Sequence, residues 1–197
     1  MAFTFFFRDV QPLKLLCKYI SENFRDHKYI HIWSAGCALG QEPYTFAILL
    51  RESMGPMIFR NVTIHATDIE KTYGPIIDRG VYEDDSLKRI PKDLFNKYFE
   101  PCDNENKYVI TDEIKRRIEF KHHDLRDLNK IGDNFAGIIC KNVLLHLKEQ
   151  ERIEVIKMFH SSLAKGGFFL TEQTQKMPER MDNLFKPLSS NTKIYQK

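Results

Sequence analysis

The sequence predicts an α/β protein built around a mostly parallel sheet, and three features lead to this prediction. Short apolar runs alternate with segments of helical periodicity along most of the chain, as βαβ units require. Residues 135–140 form a run of apolar residues and glycine without alternation, which is typical of a central parallel strand. Residues 34–40 are mostly small and join a predicted strand to a predicted helix, as the first βα turn of such a sheet does.

The first part of the chain predicts helices and strands in strict alternation. Apolar residues at helical spacing predict the helices, and short β-branched runs predict the strands. In chain order these are a helix over residues 10–24, a strand over 29–33, a helix over 41–53, a strand over 62–67 and a short helix reaching Gly80. Pro43 falls in the first turn of the second helix, where its missing N–H costs nothing, and Gly55-Pro56 is expected to end that helix.

Residues 81–120 depart from this pattern and predict a small inserted subdomain. A helix is expected over residues 91–99, followed by a turn at residues 104–106. Residues 107–110 and 114–120 alternate like antiparallel strands, so we expect a helix plus a β-ribbon in this insert.

The parallel pattern then resumes to the end of the chain. The expected elements are the strand over 135–140, a helix over 148–163, a strand over 168–171 and an edge strand over 192–195. Gly166-Gly167 lies just beyond the predicted helix, where a glycine C-cap is common.

Length and composition indicate one domain over residues 1–197, with a mass of 23.3 kDa. The 30 Lys and Arg residues against 27 Asp and Glu leave a net charge of +3, which is too balanced for a dedicated nucleic-acid binder. The four cysteines form no CxxC pair, which is typical of a reducing cytosol, and no apolar run has the length of a membrane span. We therefore expect a cytoplasmic monomer without membrane insertion and without a nucleic-acid partner. His122 and His123 are adjacent on a strand and face opposite sides, so we expect no metal site.

The turn after the first strand is the strongest local indication of a ligand site. Glycines at positions 36 and 40 let a ligand approach the backbone, but neither a GK[ST] end nor a G-x-G-x-x-G pattern is present. This spacing fits an adenosine ligand smaller than a dinucleotide. Asp68, at the end of the second strand, is positioned as acids that bind ribose hydroxyls are. The alternative is an ordinary βα turn with a capping acid, and we favour the ligand site.

Two further residues are candidates whose ordinary explanations stay open. Asn142 follows the buried strand and would face the ligand crevice, yet a helix N-cap explains it equally well. His146 lies four residues further on, and a single histidine is more often an ordinary surface or core side chain.

Taken together, these segments resemble the chemotaxis-receptor methyltransferase family, the CheR type of S-adenosylmethionine-dependent enzyme. Residues 4–8 (TFFFR) are similar to its T-x-F-F-R opening, and residues 33–44 (WSAGCALGQEPY) to its W-S-A-x-C-x-x-G-x-E-P-Y signature. Shorter matches are ATDI at 66–69, GVY at 80–82, YF at 98–99, FKHHDL at 120–125 and CKNV at 140–143. The matches run in order along nearly the whole chain.

The resemblance implies a class I S-adenosylmethionine-dependent methyltransferase. Its fold would be a Rossmann-like, mostly parallel sheet with a small inserted antiparallel β-subdomain, and S-adenosyl-L-homocysteine would be the product. The cofactor-binding residues that it implies are Thr4, Arg8, Gly36, Ala38, Glu42, Asp68, Asp124, Leu125, Lys141 and Asn142. Among these, Glu42 and Asp68 would take the methionine-amino and ribose ends, and Asp124 and Leu125 would flank the adenine.

Departures from the family pattern concern the side of the methyl acceptor. The family has an N-terminal helical domain before T-x-F-F-R, whereas this chain begins almost at that motif, with Ala2 where the family usually has Asn. His146 occupies the position of a Tyr beside the reacting methyl group, and Thr171-Glu172-Gln173-Thr174 stands where the family has H-S-E. Loop 100–107 lacks the glycines of members that bind a receptor peptide, which disfavours such tethering.

We therefore keep three hypotheses of function. The leading one is methyl transfer to glutamate carboxylates on the cytoplasmic helices of chemoreceptors, with Arg8 holding the carboxylate and His146 acting as an orienting donor. The second is a methyltransferase of the same fold with another protein or small-molecule acceptor, for which His146 would act as a general base. The third is a non-catalytic module that binds S-adenosylmethionine or S-adenosylhomocysteine.

Overall fold

The computed structural model describes residues 4–102, 106–173, 177–178, 181 and 183–197 of the chain. In chain order the strands are β1 (Ile30–Ala35), β2 (Val62–Asp68), β3 (Val81–Glu83), β4 (Phe99–Pro101), β5 (Lys107–Ile110), β6 (Ile118–His122), β7 (Phe135–Cys140), β8 (Leu163–Thr171), β9 (Lys186–Pro187) and β10 (Ile194–Gln196). The helices are α1 (Val10–Phe24), α2 (Gln41–Phe59), α3 (Tyr73–Arg79), α4 (Asp84–Leu87), α5 (Lys92–Tyr98), α6 (Asp112–Lys115) and α7 (Glu149–Ser162).

Seven of these strands form the main sheet, in the order β6-β2-β1-β7-β8-β10-β9. The pairs from β6 to β8 are parallel, and β10 is antiparallel to both β8 and β9. All of β7 is buried, as the sequence predicts for a central strand. From β1, the next strands of the main sheet, β2 and β6, are added on one side, whereas β7 and β8 are added on the other side. The carboxyl ends of β1 and β7 therefore flank a crevice suited to ligands.

Apolar side chains cover both faces of this sheet and form two clusters. Neighbouring residues of a strand point to opposite faces, so Ile32 joins the cluster with α1 and α2, whereas Trp33 joins the cluster with α7. The same alternation places Ile139 and Ile138 of β7 in the first and second cluster. The sheet is therefore the middle layer of a three-layer α/β arrangement.

The predicted end of the second helix is wrong. The helix leaves helical geometry at Gly55, which has φ 74° and ψ 168°, but it resumes at once and ends at Phe59. Pro56 falls at the start of the resumed segment, where a proline is tolerated because its N–H would have no helical partner. Gly55-Pro56 thus makes a kink instead of a stop.

The predicted β-ribbon of the insert is wrong in one of its two strands. Ile114 lies in α6, and β6 pairs in parallel with β2 at the edge of the main sheet. The partners of β5 are β3 and β4, which flank it in a separate antiparallel sheet of three strands. The alternating pattern of β6 identified a strand correctly, but alternation does not specify the partner. The predicted turn at residues 104–106 falls mostly outside the described residues.

The end of the chain differs from prediction in three respects. Helix α7 ends at Ser162, because Leu163 is already extended, with φ −69° and ψ 143°. Gly166 and Gly167 therefore lie within β8 and do not cap the helix; they coincide with an irregular step in its pairing with β7. Strand β10 was expected at an edge, but the two residues of β9 lie beyond it.

None of the helices in the described part of the chain has the length and apolar character of a membrane span.

Candidate active site

Two adjoining cavities open at the carboxyl ends of β1, β2 and β7. The first cavity has a volume of about 390 Å³ and the second about 660 Å³. The residues that line both are Gly36, Asp68, Asn142, Val143 and His146. Their place at the carboxyl edge of a parallel sheet is where open α/β folds bind ligands.

The residues predicted for the site lie along these two cavities. The first cavity is lined by Thr4, Arg8, Gly36, Ala38, Glu42, Asp68, Lys141, Asn142 and His146. The second is lined by Gly36, Asp68, Asp124, Leu125, Asn142 and His146. Residues from five separate segments of the sequence thus meet in one region, although the role of each remains a prediction.

The turn after β1 approaches the end of β7 closely at Gly36. This residue has φ +77°, and its N–H donates to the carbonyl of Thr67 at 2.7 Å. A Cβ at this position would lie 2.2 Å from Cγ2 of Val143. Only glycine combines this conformation with this approach, so the backbone itself forms part of the wall of both cavities.

Asp68 is held in place by backbone donors. Its Oδ2 accepts from the N–H of Ala38 at 2.9 Å, and its Oδ1 accepts from the N–H of Glu70 at 3.1 Å. A carboxylate oxygen accepts more than one hydrogen bond, so both oxygens keep capacity for a ligand hydroxyl. The geometry suits the pair of hydroxyl groups of a ribose.

Glu42, in the first turn of α2, lines the first cavity. Its Oε1 accepts a hydrogen bond from Oγ of Ser34 at 3.0 Å. Burial raises the pKa of the Glu42 carboxyl, although Lys141, the Ser34 hydrogen bond and Arg8 all act to lower it. A carboxylate with this little solvation gains from a cationic ligand group.

Lys141 supplies a nearly buried cation directly after β7. Its side chain is only 6% exposed, and its Nζ lies 3.8 Å from Oδ2 of Asp9. The same oxygen of Asp9 lies 3.7 Å from Nε of Arg8. Asp9 therefore faces both cations of this wall.

Packing against α2 and the small sheet holds the N-terminal segment over the first cavity. The N–H of Phe7 donates to Oγ1 of Thr45 in α2 at 3.1 Å. The ring of Phe6 packs edge-to-face against Tyr82 and Phe99, with centroids 4.9 and 5.5 Å apart. These contacts place Thr4 and Arg8, the predicted site residues of this segment, at the cavity.

Arg8 and Arg89 lie on the aromatic ring of Phe5. The Cζ atom of Arg89 lies 3.8 Å from the ring centroid, and that of Arg8 lies 5.7 Å from it. Cation–π contacts of this kind stabilise by roughly 0.5–1 kcal/mol at exposed sites. The insert, which carries Arg89, thus contacts the N-terminal segment at the cavity rim.

The second cavity has an acidic and an apolar residue side by side at its far end. Asp124 accepts from the N–H of Arg126 at 2.9 Å and pairs with its guanidinium at 2.6 Å. The Arg126 side chain is the main cause of the lowered pKa of Asp124, which is therefore ionised at neutral pH. Leu125 is buried beside it and provides an apolar surface.

Asn142 adopts a left-handed conformation, with φ 59°, directly after Lys141. Its N–H donates to Oε2 of Glu172 at 3.1 Å. The alternative explanation as a helix cap is wrong, because the following 3-10 helix has Val143 at its N-cap and no side-chain cap. His146 ends that short helix and is exposed at the junction of the two cavities.

Several residues of the site were missed by sequence reasoning. They are Phe5, Ser34, Tyr73, Arg126 and Glu172. Glu172 had a usable signal, since it directly follows the interior strand β8, and Asn142 likewise lies just beyond β7. The other missed residues had no such signal in the sequence. The hydrogen bond between Ser34 and Glu42, for example, depends on the geometry of the turn between them.

The site fits S-adenosylmethionine as its cofactor. The backbone cradle at Gly36 admits close approach of a ligand, the oxygens of Asp68 keep capacity for a ligand hydroxyl, and the Glu42 carboxylate has little solvation of its own. The sheet order and this site define a class I S-adenosylmethionine-dependent methyltransferase. Residues 2–194 match the family described as CheR methyltransferase, SAM binding domain, and the chain belongs to that family.

Similar curated proteins carry the name of the same class. The chain is 29% identical to the chemotaxis protein methyltransferase of Vibrio parahaemolyticus, covering 98% of this chain and 71% of that protein. It is 31% identical to the chemotaxis protein methyltransferase of Borreliella burgdorferi, covering 85% of this chain and 62% of that protein. The chain thus spans about two thirds of the length of these relatives.

A solved structure shows the same fold at low sequence identity. PKMT2 from Rickettsia typhi, in complex with AdoHcy, aligns with a TM-score of 0.50 and 14% identity. The alignment covers 87% of this chain and 26% of that chain.

Proposed function

We propose that this chain transfers the methyl group of S-adenosylmethionine to glutamate carboxylates on the cytoplasmic helices of chemoreceptors. The observation that carries this proposal is that the residues suited to the methyl acceptor and those suited to the cofactor line one cavity. Arg8 and His146, the residues suited to an acceptor, line the same space as Glu42 and Asp68, the residues suited to the cofactor. A cytoplasmic location, where such receptor helices are found, is part of the proposal.

The cofactor residues would hold S-adenosylmethionine across both cavities. Glu42 would bind the methionine ammonium and Asp68 the ribose hydroxyls. Asp124 and Leu125 would take the adenine end, while Thr4 would close the site from the N-terminal side. When bound, S-adenosylmethionine supplies an electrophilic methyl group on a positively charged sulfur.

The chain's own residues would align and desolvate the acceptor. A glutamate carboxylate is already ionised near neutral pH, since its ordinary pKa is about 4.3, so no base is required. Alignment and exclusion of water then carry the catalytic effect. The Arg8 guanidinium would donate hydrogen bonds to the acceptor carboxylate, and the imidazole of His146 would donate one to orient it.

The insert, predicted over residues 81–120, would act as part of one methyltransferase domain. The Tyr82 hydroxyl donates to the carbonyl of Leu39 at 2.8 Å, which ties the small sheet to the turn after β1. The ring of Tyr82 also packs edge-to-face against Tyr44 of α2, with the ring centroids 6.1 Å apart. These contacts support a single unit in which the insert braces the cofactor turn.

A second candidate function is methyl transfer to a hydroxyl or an amine. His146 favours it, because an imidazole is able to remove a proton that such an acceptor must lose. The acceptor class therefore decides between the two candidates.

The test uses labelled cofactor and receptor-containing membranes. The chain is incubated with [methyl-³H]S-adenosylmethionine and membranes bearing chemoreceptors, and the label is then challenged with base. Base-labile label that disappears when the methylatable glutamates are replaced by alanine supports the proposal, since methyl esters hydrolyse in base. Base-stable label supports the second candidate. Binding of S-adenosylhomocysteine without any transfer indicates a non-catalytic module.

A further inference from the structure

Glu172 is a buried carboxylate that the mechanism above does not use. It follows β8 directly and is only 4% exposed. Its Oε2 accepts from the N–H of Asn142 at 3.1 Å and from Oγ1 of Thr171 at 2.9 Å. Its Oε1 is buried and has no hydrogen-bond partner among the described residues. The bonded donors are neutral, so they do not cancel its charge.

The hydrogen bond from Asn142 connects Glu172 to the cofactor site. Asn142 has φ 59°, a left-handed conformation that Asn adopts more readily than most residues with a side chain, and the hydrogen bond to Glu172 fixes the direction of its N–H. It lines both cavities, so its backbone marks the place where a ligand would pass from one to the other. Glu172 therefore fixes the conformation of the wall at that place.

The charge of Glu172 also reaches the first cavity. Burial is the main cause of the raised pKa of Glu42, and the Glu172 carboxylate adds to that increase. The opposing cations are Lys141 and Arg8, and both lie within 4 Å of the carboxylate of Asp9, which offsets part of their charge. The wall around the cofactor site thus keeps an excess of negative charge, to which Glu172 contributes.

We propose that Glu172 positions Asn142 and that the charge of Glu172 makes the site prefer S-adenosylmethionine, which has a cationic sulfur, over S-adenosylhomocysteine, whose sulfur is uncharged. The inference deepens the proposed function and rests on its placement of the cofactor. The cosubstrate carries one more positive charge than the product, because methyl transfer removes the sulfonium charge. A nearby carboxylate stabilises the cationic cosubstrate more than the product. Glu172 would thereby limit product inhibition.

The test compares two affinities in one variant. Glu172→Gln keeps the size of the side chain and an oxygen that accepts from the N–H of Asn142, but it removes the charge. Isothermal titration should show the Kd for S-adenosylmethionine rising on the order of threefold to tenfold, the Coulomb effect of one charge in a partly polar site. The Kd for S-adenosylhomocysteine should change less than about twofold, since only the charge term has changed.

Two controls separate charge from structure. Thr171→Val removes one hydrogen bond to Glu172 and keeps its charge, so the ratio of the two Kd values should stay at the wild-type value. Glu172→Ala removes both the support of Asn142 and the charge, and both Kd values should rise. Circular dichroism and thermal unfolding identify variants that fail to fold, and the Glu172→Gln comparison is made on folded protein.

The outcomes are distinct for each proposal. An unchanged Kd ratio in Glu172→Gln, whether both affinities fall equally or neither falls, overturns the charge preference. If the wild-type chain binds S-adenosylhomocysteine in that case, the cofactor site of the proposed function stands. Failure of the folded wild-type chain to bind either compound overturns both proposals.

Discussion

The backbone N–H of Ala38 donates a hydrogen bond to Oδ2 of Asp68 at 2.9 Å, joining the turn after β1 to the end of β2. Ala38 has φ 49°, a left-handed conformation that costs roughly 1–2 kcal/mol in a residue with a side chain. The hydrogen bond to a charged acceptor offsets this cost. The acid and the turn therefore hold each other in place at the mouth of both cavities.

Replacing Asp68 should weaken cofactor binding strongly. In Asp68→Ala both the ribose acceptor and the support of the Ala38 turn are lost. Because hydrogen bonds to charged groups contribute about 1.5–3 kcal/mol, we expect the Kd for S-adenosylhomocysteine to rise roughly tenfold to a hundredfold. Isothermal titration measures it, with Asp78→Ala, an exposed acid on α3, as the matched control. An unchanged Kd in Asp68→Ala would remove Asp68 from the cofactor site.

Alanine at position 36 should destabilise the fold more than alanine at position 55. Gly36 and Gly55 have similar φ values of +77° and +74°, but a Cβ at Gly55 meets nothing within 4 Å. We expect Gly55→Ala to cost about 1–3 kcal/mol from backbone strain alone, since φ 74° with ψ 168° is a conformation almost restricted to glycine. Gly36→Ala should cost roughly 1–3 kcal/mol more, because the new Cβ overlaps Val143.

Chemical denaturation measures both free energies of unfolding. Adding Val143→Ala to Gly36→Ala should recover part of the loss, since it removes the overlapping methyl groups. Equal costs for the two glycine substitutions would show that the approach to Val143 is not tight.

Glu42→Gln should make the protein more stable at neutral pH and bind cofactor less well. Burial raises the pKa of the folded Glu42 carboxyl above its ordinary value. As pH rises above that value, the unfolded chain releases its proton before the folded chain does, so the wild type loses stability. The neutral amide avoids this loss but no longer attracts an ammonium group.

The measurement is the midpoint of thermal unfolding between pH 4 and pH 8. The advantage of Glu42→Gln should be a few degrees near neutral pH and should shrink toward the acidic end. Glu100→Gln, at an exposed glutamate of β4, is the control and should show no such trend. A wild type that is the more stable at neutral pH would contradict the prediction.

His146 should affect the chemical step more than cofactor binding. We expect His146→Phe to lower kcat about tenfold or more, because a phenyl ring donates no hydrogen bond to orient the acceptor. His146→Tyr should retain most of the activity, since a phenol donates as a neutral imidazole does. The Kd for S-adenosylhomocysteine should stay within about twofold in both variants. This change is smaller than the loss of one hydrogen bond to the ligand would cause.

Steady-state methyl-transfer assays and titration provide these values. His27→Phe, a substitution in the loop after α1, serves as the control for changing a histidine elsewhere. Full activity of His146→Phe would exclude a catalytic role for this residue.

The local pattern of the chain was sufficient for the elements that border the site. The bounds of α1 were predicted to the residue, and β2 was expected to end at Asp68 as it does. Strands of a parallel sheet end at one edge, so the sequence alone predicts that Asp68 and Asn142 lie on the same side. Their roles toward the cofactor nevertheless stay proposals.

Long-range pairing was beyond the local pattern. Strand β6 carries the same alternation whether it pairs with β5 in a ribbon or with β2 in the main sheet, and only tertiary contacts select β2. The glycines at positions 166 and 167 likewise resemble a helix cap in sequence, yet they lie in β8 because that strand pairs with β7 from Leu163 onward.

The sequence by itself determined the alternation of helices and strands in the main sheet, the small-residue turn at Gly36 and the edge of the sheet where polar residues gather. These depend on side-chain period and backbone sterics, which act over a few residues. The tertiary structure alone decided the hydrogen bond between Glu172 and Asn142 and the charge balance around Glu42. Such features require that residues far apart in the chain are buried together and lose their contact with water. A local sequence pattern does not indicate which groups these are.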